Sequence, residues 1–157
     1  MNSPEASNTD TSNTALDSPG PEWPEQRWWA AVAAGELIFQ WCEWCDRPQH
    51  PPRPVCAHCH QAGRLGWRAH DGRGAVHSAT EVWTTPVAGF QDRVPYWIGV
   101  AELPPGIFLI ANLPAGTSAE QAAHGAPVQV RLLPSGDQVL PVLVLGEPAA
   151  GSKEVGA

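Results

Sequence analysis

The chain has 157 residues and a formal net charge of -7, room for one ordinary domain or a small module joined to one compact domain, but not for two domains with large cores. The charge sits at the ends. Residues 1–25 carry Glu5, Asp10, Asp17, Glu22 and Glu25 without a Lys or Arg, whereas residues 26–146 set nine acids against eight bases, so the body lacks the basic stripe of a protein that lives on phosphate backbone.

The opening MNSPEASNTDTSNTALDSPG is too polar to offset the entropy of ordering a chain, and residues 1–22 are expected to form a disordered tail. It has neither the positive n-region nor the apolar h-region of a secretory signal, and no later stretch approaches the ~18 apolar residues that span a bilayer. The expected location is the cytoplasm, where four clustered cysteines hold a metal in preference to forming disulfides.

A segment 23–70 follows. In PEWPEQRWWAAVAAG, Pro24 suits a first helical turn and Gly35 a helix stop, which predicts a helix from about Pro24 to Ala34. Trp28 and Val32 fall one turn apart, with Trp29 and Ala33 beside them, so the helix packs either on the body of the protein or on a partner. Leu37 to Trp41 reads as a short strand leading into CEWCDRPQHPPRPVCAHCH.

That stretch holds Cys42-x2-Cys45 and Cys56-x2-Cys59, separated by ten residues. Each pair forms a tight knuckle with two thiolates pointing one way, and two facing knuckles place four sulfurs at ~2.3 Å around one Zn²⁺. The prolines of HPPRP stiffen the connection, which lowers the conformational freedom lost on closing the loop. Four thiolates make a closed shell with no open position for water or substrate, so the metal is structural. Iron in the same four sulfurs is the alternative. His58 and His60 lie in and beside the second knuckle as spectators, and Trp41, Trp44 and Trp67 flank the cysteines as cover for the ribbon.

From residue 71 to 146 the period changes to that of strands. GRGAVHSATEVWTT (72–85), YWIGVAEL (96–103), IFLIANL (107–113), VQVRLL (128–133) and QVLPVLVLG (138–146) read as five strands, the second and third joined by the turn Pro104-Pro105-Gly106. Pro141 argues for an edge position or a bulge. Ser118 to Ala123 reads as one or two helical turns capped by Ser118. Five strands with a helical interruption between the third and fourth is the layout of an OB-type barrel. Residues 147–157 are expected to form a second loose tail. No histidine pairs with a Ser or Cys at a recognisable catalytic spacing, and no cysteine is left over as a nucleophile.

The fold class predicted is therefore mainly β: an N-terminal helix, a rubredoxin-like zinc ribbon and a C-terminal five-stranded OB barrel. In this order, and through GELIFQWCEWC, PPRPVCAHC, GRGAVHSATEV, VPYWIGVAEL, FLIANL, GAPVQV and LPVLV, residues 24–146 resemble the DUF35 family. The family often has glycine after each CxxC, where this chain has Asp46 and His60. The resemblance implies a noncatalytic subunit of a heterotetramer with a thiolase-like protein. In such complexes the DUF35 chain helps to bind or channel acyl-CoA, and the partner performs thiolysis, retro-aldol cleavage or acyl transfer. On this reading Arg73, between two glycines, approaches a CoA phosphate or the partner, Tyr96 and Trp97 line a pantetheine path, and Trp28 and Trp29 face the partner. Strand entry, core packing and helix packing are the competing roles for these residues. The other functional reading is a module that binds single-stranded nucleic acid, since zinc ribbons and OB barrels both do so and the aromatics are present, although the electrostatics are not.

Overall fold

The computed structural model describes residues 23–87 and 89–146, so the two expected tails lie outside the described residues. Helix α1 (Pro24–Ala33) begins with Pro24 in its first turn and Glu25 near its positive end. It stops in a Schellman arrangement, in which the Gly35 and Glu36 amides donate to the Val32 and Ala31 carbonyls at 3.0 and 2.8 Å, with Gly35 in the left-handed region at φ 82°.

Strands β1 (Ile38–Cys42), β2 (Arg47–Gln49) and β3 (Leu65–Ala69) then form an antiparallel sheet in the order β2-β1-β3. Neither β2 nor β3 is anticipated from the sequence. Strand β2 is only three residues long and includes Pro48, and β3 carries Gly66 at its second position, so neither shows the alternating run that signals a strand.

Strands β4 (Arg73–Val82), β5 (Tyr96–Leu103), β6 (Ile107–Asn112), β7 (Pro127–Ser135) and β8 (Gln138–Leu145) close a barrel in the order β4-β5-β6-β8-β7. Each of the five expected strands is present, and β4 ends at Val82, short of the expected 85. The closure between β6 and β8 is parallel and rests on the single pair Asn112 and Val142, next to Pro141. Proline is tolerated on a strand that has one nearly unbonded side. Residues 118–123 make turns and no helix. Ser118 still acts as a cap, its Oγ accepting from the Gln121 amide at 3.3 Å.

Alternation on β6 sends Ile107, Leu109 and Ala111 inward to meet Val76, Ala101, Leu103, Val128, Val130 and Leu143. Trp28 and Val32 of α1 and Phe39 of β1 extend the same core, so ribbon, helix and barrel share one apolar interior. The Gly-Arg-Gly motif at the start of β4 has a steric origin. Gly72 is left-handed at φ 76°, and a Cβ on Gly74 would collide with the Glu102 carbonyl of β5.

Candidate metal centre and barrel cleft

The first knuckle closes the turn between β1 and β2, and the second lies between Val55 and Ala62, which form an isolated bridge. Each knuckle ends in a left-handed residue, Asp46 at φ 51° and His60 at φ 58°. These are the two positions where the family often has glycine, and the backbone conformation explains that preference. Asp46 is held by its side chain: its Oδ1 accepts from the Trp41 indole at 2.8 Å and from Arg68 at 3.1 Å. The indole and the guanidinium hold its carboxyl below the usual range.

The knuckles bring all four Sγ atoms within 4.8 Å of one another. Cys42 and Cys59 are 3.6 Å apart, and Cys45 and Cys56 are 3.7 Å apart. A tetrahedron with metal–sulfur bonds of ~2.3 Å has edges of about 3.8 Å, so the donor set fits Zn²⁺. The thiols are also electrostatically unequal. Desolvation, then hydrogen bonds from its neighbours, push Cys45 up to about 12. Desolvation acts against Cys56 too, but the Cys59 and His58 amides outweigh it and bring it down to about 6. A divalent cation is what allows four such close sulfurs to be thiolates together.

A buried amide pair, not anticipated from the sequence, fastens the proline-rich link to the sheet. Gln49 Nε2 donates to Gln40 Oε1 at 2.5 Å, Gln40 Oε1 also accepts from the Arg53 amide at 2.8 Å, and Gln49 Oε1 accepts from the Ala57 amide at 2.7 Å. Pairing of this kind offsets the cost of taking the two amides out of water. A polar residue on the inward face of a three-residue strand is the one sequence signal, and it is weak.

Arg64 lies over the ring of Trp44 at 4.6 Å and Arg68 over that of Trp41 at 4.1 Å. With Arg47 and Arg53 these give the ribbon four cations against Glu43 and Asp46. Four thiolates around Zn²⁺ carry a charge of about -2, so the metal-loaded ribbon is electrically balanced and offers no net positive field for a phosphate backbone.

The residues proposed for CoA or partner contact do not form one site. Tyr96 and Trp97 line a cleft of about 420 Å³ at one end of the barrel, with Phe90, Arg93, Leu113, Leu133, Leu140 and Val142. Arg73 is at the far end of β4, nine residues from the Val82 that pairs with Tyr96, roughly 30 Å along the strand. Its side chain is 81% exposed, 3.9 Å from Asp71. Trp28 is 4% exposed and belongs to the core, whereas its neighbour Trp29 is 48% exposed. Trp29 borders a groove with Ile98, Ile110, Leu140 and Pro141, and Ile110, 67% exposed, and Phe108 continue this apolar surface along β6.

No helix among the described residues is long and apolar enough to cross a membrane. Two family models match the chain: the ChsH2 rubredoxin-like zinc ribbon domain over residues 29–63 and the ChsH2 C-terminal OB-fold domain over residues 67–133. A DUF35 domain-containing scaffold protein of Methanothermobacter thermautotrophicus is 32% identical over 65 residues, 41% of this chain and 48% of that protein. The match thus spans about half the length of that relative. Among solved structures, a chain of the Ltp2-ChsH2(DUF35) aldolase superposes with a TM-score of 0.68 at 28% identity, covering 82% of this chain and 98% of that one. A DUF35 protein of Sulfolobus solfataricus shares the fold, with a TM-score of 0.51 at 17% identity over 77% of this chain and 84% of that one. The ribbon with its four metal-positioned cysteines, the barrel and these likenesses together define the relationship: the chain belongs to the DUF35 family.

Proposed function

We propose that this protein is the noncatalytic subunit of a cytoplasmic two-protein acyl-CoA enzyme, assembled with a thiolase-like partner as a heterotetramer. The partner supplies the reacting groups for thiolysis, retro-aldol cleavage or acyl transfer, and this chain contributes part of the acyl-CoA path. The observation that carries the reading is that ribbon and barrel together superpose on 98% of the chain from the Ltp2-ChsH2(DUF35) aldolase. The zinc holds the ribbon. The apolar surface of Trp29, Phe108 and Ile110 meets the partner, and the cleft of Tyr96 and Trp97 takes the apolar part of the ligand, with Arg93 at its rim available to an anionic group.

The test is co-expression with a thiolase-like protein, size-exclusion chromatography and metal analysis of the complex. A co-eluting peak with one zinc per copy of this chain is expected. Trp29→Ala is expected to weaken the complex at least tenfold while costing the free chain about half of what Trp28→Ala costs, because about half of the side chain is already in water. Trp28→Ala is expected to cost about 3–5 kcal/mol of stability, as for a fully buried aromatic. Trp97→Ala is expected to raise the acyl-CoA KM of the complex. A chain that elutes alone, folded and zinc-loaded, with every thiolase-like protein tried overturns the partnership. A complex whose KM ignores Trp97 overturns the ligand path.

A further inference from the structure

His70 stands where the ribbon ends and the barrel begins, one residue after β3 and three before β4. Its backbone amide donates to the Leu37 carbonyl at 2.9 Å, which ties it to the entry of β1. Its ring reaches the other way. Nε2 lies 2.7 Å from the Pro104 carbonyl in the β5–β6 turn, 34 residues on, and Nδ1 lies 2.8 Å from the Gly72 amide nitrogen.

These two contacts fix the protonation of the ring. A carbonyl only accepts and an amide N–H only donates, so Nε2 carries the proton and Nδ1 presents its lone pair. Only a neutral imidazole makes both bonds. The Gly72 bond matters for alignment, because Gly72 is the left-handed residue that starts the barrel, and its carbonyl accepts from the Val130 amide of β7 at 2.8 Å.

The surroundings of the ring offer the protonated form one alternative. Asp71 Oδ1 is 3.6 Å from Nδ1, and Asp71 in turn faces Arg73 at 3.9 Å. Strand β1 presents the ring of Phe39 at 5.5 Å, and His50 lies 5.3 Å from that same ring. The Pro104-Pro105-Gly106 turn has no ionisable side chain, and from β7 Gln129 donates to the Asp71 carbonyl at 2.6 Å. A proton on Nδ1 therefore exchanges the Gly72 bond for a pairing with Asp71.

We propose that His70 is a proton-sensitive clamp at the junction of ribbon and barrel: neutral, it joins the Pro104 carbonyl to the Gly72 amide, and protonated, it keeps Pro104 but releases the Gly72 turn and pairs with Asp71. The clamp involves none of the cysteines, and it does not depend on the acyl-CoA reading above.

The experiment is nuclear magnetic resonance on the full, zinc-loaded chain along a series between pH 7.5 and 5.5, with the His70 ring signals reporting its own protonation. The Gly72 amide is expected to lose about fivefold in exchange protection, the equilibrium value of one ordinary hydrogen bond, with the midpoint of the His70 ring signals. Glutamine keeps a donor and an acceptor without titrating, so His70→Gln is expected to hold the Gly72 protection constant. Zinc content is followed throughout, and the variant shares the same thiolates, so any effect of metal loss appears equally in both proteins. Gly72 protection that ignores the protonation of His70 in the wild-type chain, or a His70→Gln protein with the same pH response, overturns the clamp.

Discussion

Gly74→Ala tests the junction on which the barrel is built. At Gly74, β4 crosses the end of β5, and an added Cβ would overlap the Glu102 carbonyl and come within 2.6 Å of Leu103 Cδ2. The Leu side chain can turn aside, but the carbonyl belongs to the β5 backbone and cannot. Relief requires β4 to move away from β5 by the best part of an ångström, which strains the pairs Ala75 with Glu102 and Val76 with Ala101. Loss of one or two ladder hydrogen bonds at about 1 kcal/mol each, with about 1 kcal/mol more for disturbed packing, gives about 3 kcal/mol. The packing part falls on Val76 and Leu103, both fully buried. For a body of this size that is a drop in Tm of about 10 °C. The internal control is Gly136→Ala in the β7–β8 turn, where φ is 61° and nothing lies within 4 Å of the added atom. Only the left-handed backbone is penalised there, by about 1 kcal/mol. Urea unfolding of both variants in zinc-containing buffer gives the comparison. A Gly74→Ala protein within 1 kcal/mol of wild type, or no worse than Gly136→Ala, refutes the close crossing of β4 over β5.

Two further outcomes are expected from residues around the ribbon. Burial pushes His50 down to about 4, and its Nδ1 is buried without a partner, as is Trp28 Nε1 beside it. Between the free imidazole value of about 6.5 and 4, the unfolded chain therefore holds a proton that the folded chain does not. Stability falls as pH drops through that window, by at most about 1.4 kcal/mol per unit. His50→Phe is expected to remove this part of the slope in urea titrations at pH 7.5, 6 and 5, the thiolate contribution being common to both proteins; an unchanged slope places the proton uptake elsewhere. At the second knuckle, His60→Val puts a β-branched residue at φ 58° and is expected to cost about 1–2 kcal/mol. His60→Gly is expected to be close to neutral, because relief of strain is offset by the freedom glycine adds to the unfolded chain. Competition with a zinc chelator should rank wild type and glycine together, with valine weaker, and equal affinities for all three would refute the left-handed assignment.

The parts of this fold that were legible in the sequence are those whose signal is local. Tyr96 to Leu103 is a run of aromatic and aliphatic residues followed by Pro-Pro-Gly, and its strand begins and ends as predicted. The cysteine pairs encode their own geometry through spacing. What escaped the reading depends on contacts distant in sequence. Strands β2 and β3 exist because β1 lies between them and lends both its edges, and the Gln40 and Gln49 side chains are useful only to each other and to the link they hold. Periodicity put Trp28 and Val32 on one face of α1, and that face is the buried one, but it could not say which of the adjacent tryptophans would be left outside. Nor could it show that Arg73 and Tyr96 sit at opposite ends of the barrel, since that separation follows from the length of β4 and its pairing with β5.

The polar groups most suited to chemistry are largely occupied in holding the structure. The four thiols converge on the metal position. His58 donates to the Pro48 carbonyl, His124 to the His77 carbonyl, and His70 spans Pro104 and Gly72. Asp46 serves Trp41 and Arg68, and Asp71 caps the Arg73 amide at 3.0 Å. The face of β6 runs the other way, setting Phe108 and Ile110 toward solvent beside Trp29. Apolar area exposed on an otherwise well-satisfied small protein is stabilised when something covers it, at roughly 25 cal/mol per Å². On the proposed function, this open apolar face is where the partner's surface would bury area, and the reacting groups are assigned to that partner.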